Sequence, residues 1–175
     1  REGYIQYTPR RGVELRDSGR KLALSIVRRH RLIETFLEQV LGYDWTEVHQ
    51  EAEQLEHAVS DLFVRRLDAY LDYPTADPHG DPIPTEEGRI ETRPSYLLAQ
   101  VRPGDTVEIV RLRKDSTEFL DLMKNQGVLP QEHLEVLRVD KVAGVVTIRH
   151  SKAEEPFSMS YDLAGSILVR SVEGE

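Results

Sequence analysis

The chain has 175 residues, enough for one domain or two small ones with a real core. Charged residues make up 31% and hydrophobic residues 39%; no apolar run reaches membrane-spanning length, and the first residues lack the apolar core of a signal peptide. Cysteine is absent, which excludes disulfides, zinc ribbons and thiol catalysis and fits a cytoplasmic protein.

The net charge of −8 hides an asymmetry, because residues 1–31 hold nine Arg/Lys against three Asp/Glu and leave the remainder at −14. A basic leading segment on an acidic body reads as a nucleic-acid-facing end or as a solvated helix start. Within it, "GYIQYTPRRGVELRDSG" alternates at Tyr4–Tyr7, passes through Pro9 and Gly12, and resumes at Val13–Leu15. That pattern predicts a β-hairpin with a basic tip carrying Arg10 and Arg11. Asp17 or Ser18 is placed to cap the helix that follows.

That helix, from about Gly19 to Leu41, sets Leu22, Ile26, Ile33, Leu37 and Val40 on one stripe. "LGYD" breaks it, and Asp44 with Glu47 resembles a capping box. A second helix is expected from about Trp45 to Leu71, with Val48, Ala52, Leu55, Val59, Leu62 and Phe63 as its apolar stripe. Residues 72–94 contain five prolines and form no regular element. Beyond them lie short β-rich runs at residues 106–113, 134–150, 157–163 and 166–172. A helix at residues 116–128 interrupts them, with Gly127 as its C-terminal stop. The whole predicts an α+β protein ending in a small SH3-like barrel.

His30 and Glu34 sit one turn apart beside the first stripe, and His49, Glu53, Glu56 and His57 flank the second. His30/Glu34, His49/Glu53 and Glu53/His57 all have the i, i+4 spacing that reaches one ion. A single such pair reads as an ordinary helix-face pair; six such residues on consecutive amphipathic helices read as metal ligands. Imidazole and carboxylate without sulfur suit Mn²⁺, Fe²⁺, Co²⁺ or Zn²⁺ and favour the harder ions. The zinc-protease HExxH and the di-iron Glu-x-x-His pattern are both absent, as is a phosphate-binding Gly-rich loop. A closed shell of this many ligands favours sensing over catalysis.

These residues resemble the diphtheria-toxin-repressor (DtxR/MntR) family of metal-dependent transcriptional regulators over nearly the whole chain. "LRDSGRKLA" is similar to the passage from a winged-helix wing into the dimerisation domain, and "RRHRLIETFL" to the helix bearing a His and a Glu ligand. "VHQEAEQLEHAVSD" resembles the motif H-x-x-x-[C/E]-x-x-E-H, and "DPHGDPIP" a CPHGNPIP-like turn with Asp77 where Cys is usual. The last 80 or so residues resemble a FeoA-type SH3-like domain. The resemblance implies a wing remnant at 1–18, a helical metal-binding and dimerisation domain at 19–85, a linker at 86–95 and the SH3-like domain at 96–175. It implies a primary metal site of Glu53, Glu56 and His57 and an ancillary site of His30, Glu34 and His49. Asp115 and Glu118 are candidates for a further oxygen ligand, and Arg10 and Arg11 for contacts to the DNA backbone. His79, His133 and His150 read as turn or surface residues.

Glu53 stands where iron-type relatives carry Cys and manganese-type relatives a carboxylate, which points to Mn²⁺ with Fe²⁺ as the alternative. Zn²⁺ or Co²⁺ would substitute in vitro. The implied protein is a cytoplasmic homodimer that binds operator DNA when metal is bound, represses metal-uptake genes, and is neither an enzyme nor a membrane protein. Most of a helix-turn-helix has no counterpart here, so the primary site is expected to be incomplete and DNA binding by this chain alone poor. The rival reading is a metal-buffering accessory module related to ferrous transport.

Overall fold

The computed structural model describes residues 3–92, 94–152 and 155–172. The chain divides into two compact units. The first comprises Arg1–Asp44, Val48–Asp77 and Pro82–Thr92; the second comprises Trp45–Glu47, Pro78–Asp81 and Arg93–Glu175.

The first unit opens with the expected hairpin. Strands β1 (Ile5–Thr8) and β2 (Gly12–Leu15) pair antiparallel, with Ile5 opposite Leu15 and Tyr7 opposite Val13. Arg10 and Arg11 stand exposed at its tip. Ile5, Tyr7, Val13 and Leu15 share one face of the ribbon, and all four are exposed.

Helix α1 (Asp17–Gln39) follows, and neither Asp17 nor Ser18 caps it. Arg16 holds the cap position without a side-chain bond; Asp17 lies in the first turn, where its charge suits the helix dipole. The Ser18 hydroxyl instead donates to the Gly3 carbonyl at 3.0 Å. Gly19 is buried, and a Cβ there would lie 2.1 Å from the Tyr4 carbonyl oxygen, so only glycine lets hairpin and helix meet this closely. Of the predicted stripe, Ile33 and Leu37 are buried together with Leu32, while Leu22 and Val40 are exposed.

The single helix expected from about Trp45 to Leu71 is two: α2 (Val48–Leu55) and α3 (Asp61–Tyr70). The cause is Ser60. Its backbone is extended and its hydroxyl accepts the Phe63 N–H, so it starts a new helix rather than continuing the old one. The restart changes the helical phase: Val64 and Leu67 become buried, and the predicted Leu62 and Phe63 are exposed. Likewise residues 45–47 form a turn ahead of α2, so Glu47 lies outside the helix that the expected capping box would have started. The core of this unit is Leu32, Ile33, Leu37, Val48, Ala52, Val64, Leu67 and Ile83. The proline-rich segment beyond α3 is irregular, as predicted, and is tied back to α1. Arg28 donates to the Pro84 carbonyl at 2.7 Å and to Asp68 at 2.6 Å, both partly buried.

The second unit is an antiparallel sheet of β3 (Tyr96–Leu97), β4 (Thr106–Leu112), β5 (His133–Asp140), β6 (Val145–His150), β7 (Phe157–Ser160) and β8 (Ile167–Ser171). Its order is β3-β8-β4-β5-β6-β7. The expected barrel is therefore an open order among the described residues, with β3 and β7 at its two ends. Alternate residues point inward: Val107, Ile109, Leu134, Val136, Val146 and Ile148 are fully or almost fully buried. Helix α4 (Thr117–Asn125) ends as predicted, with Gly127 at φ +68. There the Val128 N–H reaches the Met123 carbonyl and the Gly127 N–H the Lys124 carbonyl, closing a Schellman motif. The run at 157–163 is not one strand. Ser160 caps a short helix, α5 (Tyr161–Ala164), by accepting the Leu163 N–H at 3.1 Å.

The three remaining histidines also belong to this unit. His79 sits in a turn, as expected, but is buried; its Nε2 lies 2.9 Å from the Trp45 carbonyl and its ring packs against the indole. His133 and His150 are half-buried on strands rather than free at the surface, and His150 pairs with Glu132 at 3.1 Å.

Candidate metal centre

Helix α1 supplies His30 and Glu34 one turn apart, and the first turn of α2 supplies His49. Three ligand atoms from these residues converge. His30 Nε2 lies 3.0 Å from Glu34 Oε1 and 3.0 Å from His49 Nδ1, and His49 Nδ1 lies 3.1 Å from Glu34 Oε1. The two imidazole rings meet edge to face, with centroids 4.8 Å apart. Glu34 is buried, His30 partly buried and His49 exposed, so the triangle opens toward solvent on the His49 side.

These spacings have a chemical meaning. A six-coordinate ion with bonds of about 2.1 Å sets adjacent donors about 3.0 Å apart, whereas a tetrahedral ion sets them about 3.4 Å apart. The triangle, held at hydrogen-bond distances, lies within reach of one shared ion and does not itself select a geometry. Its donors, two imidazole nitrogens and one carboxylate oxygen, suit divalent first-row ions. Without a cation, the same atoms share hydrogen bonds.

Glu56 follows the last turn of α2, and its Oε2 lies 2.7 Å from His30 Nδ1. When His30 Nδ1 donates its proton to Glu56, the ring's other nitrogen keeps its lone pair for a metal. Burial works against a charged His30 ring. Hydrogen bonds and charge from Glu34, then Glu56, outweigh burial and raise its pKa above the ordinary value. The second Glu56 oxygen lies 3.3 Å from Nε2 of exposed His57.

The fold thus brings His30, Glu34, His49 and Glu56 together, with His57 adjoining. Glu53 is exposed on α2 and shares no cluster with Glu56 and His57 among the described residues. Asp115 and Glu118 are exposed, the first in a loop and the second in the first turn of α4; they too join no ligand cluster among the described residues. Sequence reading passed over Arg29 and Asp61. Arg29 donates to the Glu56 carbonyl at 3.1 Å and to Asp61 Oδ1 at 2.8 Å. The available signal was an arginine immediately before a candidate ligand, His30, and an acid immediately after a serine cap.

Residues 16–85 match the family described as iron dependent repressor, metal binding and dimerisation domain, and residues 96–171 match the FeoA domain. The diphtheria toxin repressor of Corynebacterium glutamicum is 42% identical over 184 residues, covering 99% of this chain and 78% of that protein. The iron-dependent repressor IdeR of Mycobacterium tuberculosis is 32% identical over 185 residues, covering 98% and 79%. A solved manganese-dependent transcriptional repressor in complex with manganese superposes with a TM-score of 0.88 at 41% identity, covering 97% of this chain and 78% of that one.

A helical unit built around an imidazole–carboxylate cluster, joined in one chain to a small β-sheet unit, defines a metal-responsive regulator. The chain belongs to the diphtheria-toxin-repressor family of metal-dependent transcriptional repressors, a family of regulators rather than enzymes.

Proposed function

We propose that this chain is the sensing part of a manganese-activated repressor, with His30, Glu34 and His49 as its first ion site. The observation that supports this most directly is the triangle of donors spaced 3.0, 3.0 and 3.1 Å apart. Donors this close can share one ion, and a set of imidazole and carboxylate donors suits a hard divalent cation such as Mn²⁺. The ligand set contains no sulfur, and the superposed repressor is named for manganese. Fe²⁺ is the alternative activator, since other relatives are named for iron; Zn²⁺ and Co²⁺ would occupy the site in vitro. Glu53, Glu56 and His57 form a second ion site that further ligands complete.

Metal holds α1 against α2 and so fixes the basic hairpin that precedes α1. The regulator is a cytoplasmic homodimer that binds operator DNA in its metal-loaded form and represses genes of metal uptake. Leu22, Leu41, Leu62, Phe63 and Tyr70 leave apolar surface on the helical unit for a second copy to cover. Calorimetric titration of Mn²⁺ tests the first site, with mass by light scattering as the companion measurement. His30→Ala and His49→Ala should each remove one binding event and leave a dimeric mass unchanged. If both variants keep wild-type stoichiometry, these residues do not hold the ion.

A further inference from the structure

Glu56 is held at both ends by adjacent residues of α1. Its carboxylate meets the His30 ring at 2.7 Å, and its backbone carbonyl accepts a hydrogen bond from the Arg29 guanidinium at 3.1 Å. This carbonyl lies just past the end of α2, where the last carbonyls of a helix lack an intrahelical partner. The local turn uses other acceptors: the Glu56 N–H goes to Ala52, and both Ala58 and Val59 go to Leu55. Arg29 therefore supplies a donor that the turn itself does not.

The second arm of the guanidinium reaches Asp61 Oδ1 at 2.8 Å, in the first turn of α3. One rigid fork thus spans the break between the two helices, holding residue 56 on one side and residue 61 on the other. The Arg29 side chain is 21% exposed, whereas Asp61 is 79% exposed. The carbonyl arm lies in the less hydrated part of the contact, and the carboxylate arm faces water. Exposed ion pairs are worth little, so the carbonyl arm carries the restraint.

We propose that Arg29 is a positioning residue for the metal centre: its clamp on the Glu56 carbonyl sets the Glu56 carboxylate against His30 and aims the His30 ring at the ion. The inference rests on the reading of His30 as a ligand. Glu56 accepts the Nδ1 proton, which leaves Nε2 as the donor atom in the triangle. A lysine at 29 keeps the charge but carries a flexible point charge in place of a planar fork, so its ammonium follows the Asp61 carboxylate toward solvent and releases the Glu56 carbonyl.

The test uses the chain itself. Free Mn²⁺ is followed by electron paramagnetic resonance during titration, and the His30 Nδ1 proton by NMR of the Zn²⁺-loaded protein. Arg29→Lys should weaken Mn²⁺ binding roughly tenfold, the lower range for lost outer-shell partners of metal ligands, and should remove the exchange-protected Nδ1 signal. Asp61→Asn should change affinity by about threefold or less and keep the signal. Arg29→Gln retains one donor for the carbonyl and should fall between; it decides by the same two readouts if Arg29→Lys does not fold. Wild-type affinity and an intact signal in Arg29→Lys, or equal losses in Arg29→Lys and Asp61→Asn, would overturn the clamp. Loss of Mn²⁺ binding in His30→Ala alongside either outcome leaves the ligand reading standing. Unaltered binding in His30→Ala removes that reading and the clamp together.

Discussion

The two units of this chain solve the problem of burial in opposite ways. The sheet unit fills its core with branched aliphatic residues on alternating strand positions, and its ion pairs, such as Arg149–Glu135 and Arg138–Asp140, stay near solvent. The helical unit has a smaller apolar core, and it also buries Glu34, Glu56 and Asp68 while leaving Phe63 and Tyr70 exposed. Burying a carboxylate costs several kcal/mol unless it is paired, and here Glu34 and Glu56 are paired with His30 and Asp68 with Arg28. The contrast predicts one unit stable on its own packing and one stabilised further by what it binds.

The sharpest way to break this contrast is to open the sheet core. Leu134→Ala or Ile148→Ala should destabilise the sheet unit by about 3 kcal/mol, because each removes a wholly buried side chain and leaves a cavity. Amide exchange should rise across β4–β8, and added metal should not restore it. The converse follows in the helical unit. Mn²⁺ at a hundredfold excess over its dissociation constant should add about 2.7 kcal/mol to the protection of α1 and α2, with no gain in the sheet. His30→Ala should abolish that gain. Equal protection of both units by Mn²⁺ would sink the division of labour.

Smaller effects sharpen the comparison. Gly127→Ala should cost the sheet unit about 1 kcal/mol, since φ +68 is a conformation alanine adopts with strain. Denaturant midpoints, with and without metal, should show the same loss. The smallest effect is a pH dependence confined to the helical unit. The His30 pKa is raised in the fold, so its protonated form contributes stability that is fully present below the unfolded value of 6.5 and is lost as pH rises through the folded value. Metal needs the Nε2 lone pair, so its stabilisation must grow over the same rise in pH. Metal-free melting should therefore fall slightly from pH 6 to pH 8, while the increment from Mn²⁺ increases; parallel pH profiles with and without metal would contradict this.

What was legible in advance was what is local. His30 and Glu34 share a helical turn whatever surrounds them, and the alternation around Arg10 and Arg11 marks a hairpin without reference to the rest. The α+β character also followed from the change of period beyond the prolines. The break at Ser60 was hidden because "EHAVSDLF" keeps plausible helical spacing on both sides, and a single hydroxyl bond decides against continuity. The link from Glu56 to His30 was hidden for a related reason. The resemblance grouped Glu56 with Glu53 and His57, and only the packing of α2 on α1 reveals that its carboxylate also reaches His30. Tyr96–Leu97 is too short to show a period, and Arg29 resembles any solvated helix charge until its acceptors are known.

The glycine at position 19 makes the hairpin and α1 a single lever. With the Tyr4 carbonyl pressed against the helix backbone and Ser18 bonded to Gly3, the ribbon has little freedom to swing independently of α1. His30 lies eleven residues along that helix from Gly19, a lever arm of about 16 Å. A tilt of about 3° about the metal cluster thus displaces the root of the hairpin by roughly 1 Å, and its tip further. Any small tilt of α1 is thereby amplified by leverage into the position of two arginines. A methyl group at residue 19 would loosen that joint while leaving His30, Glu34 and His49 in place.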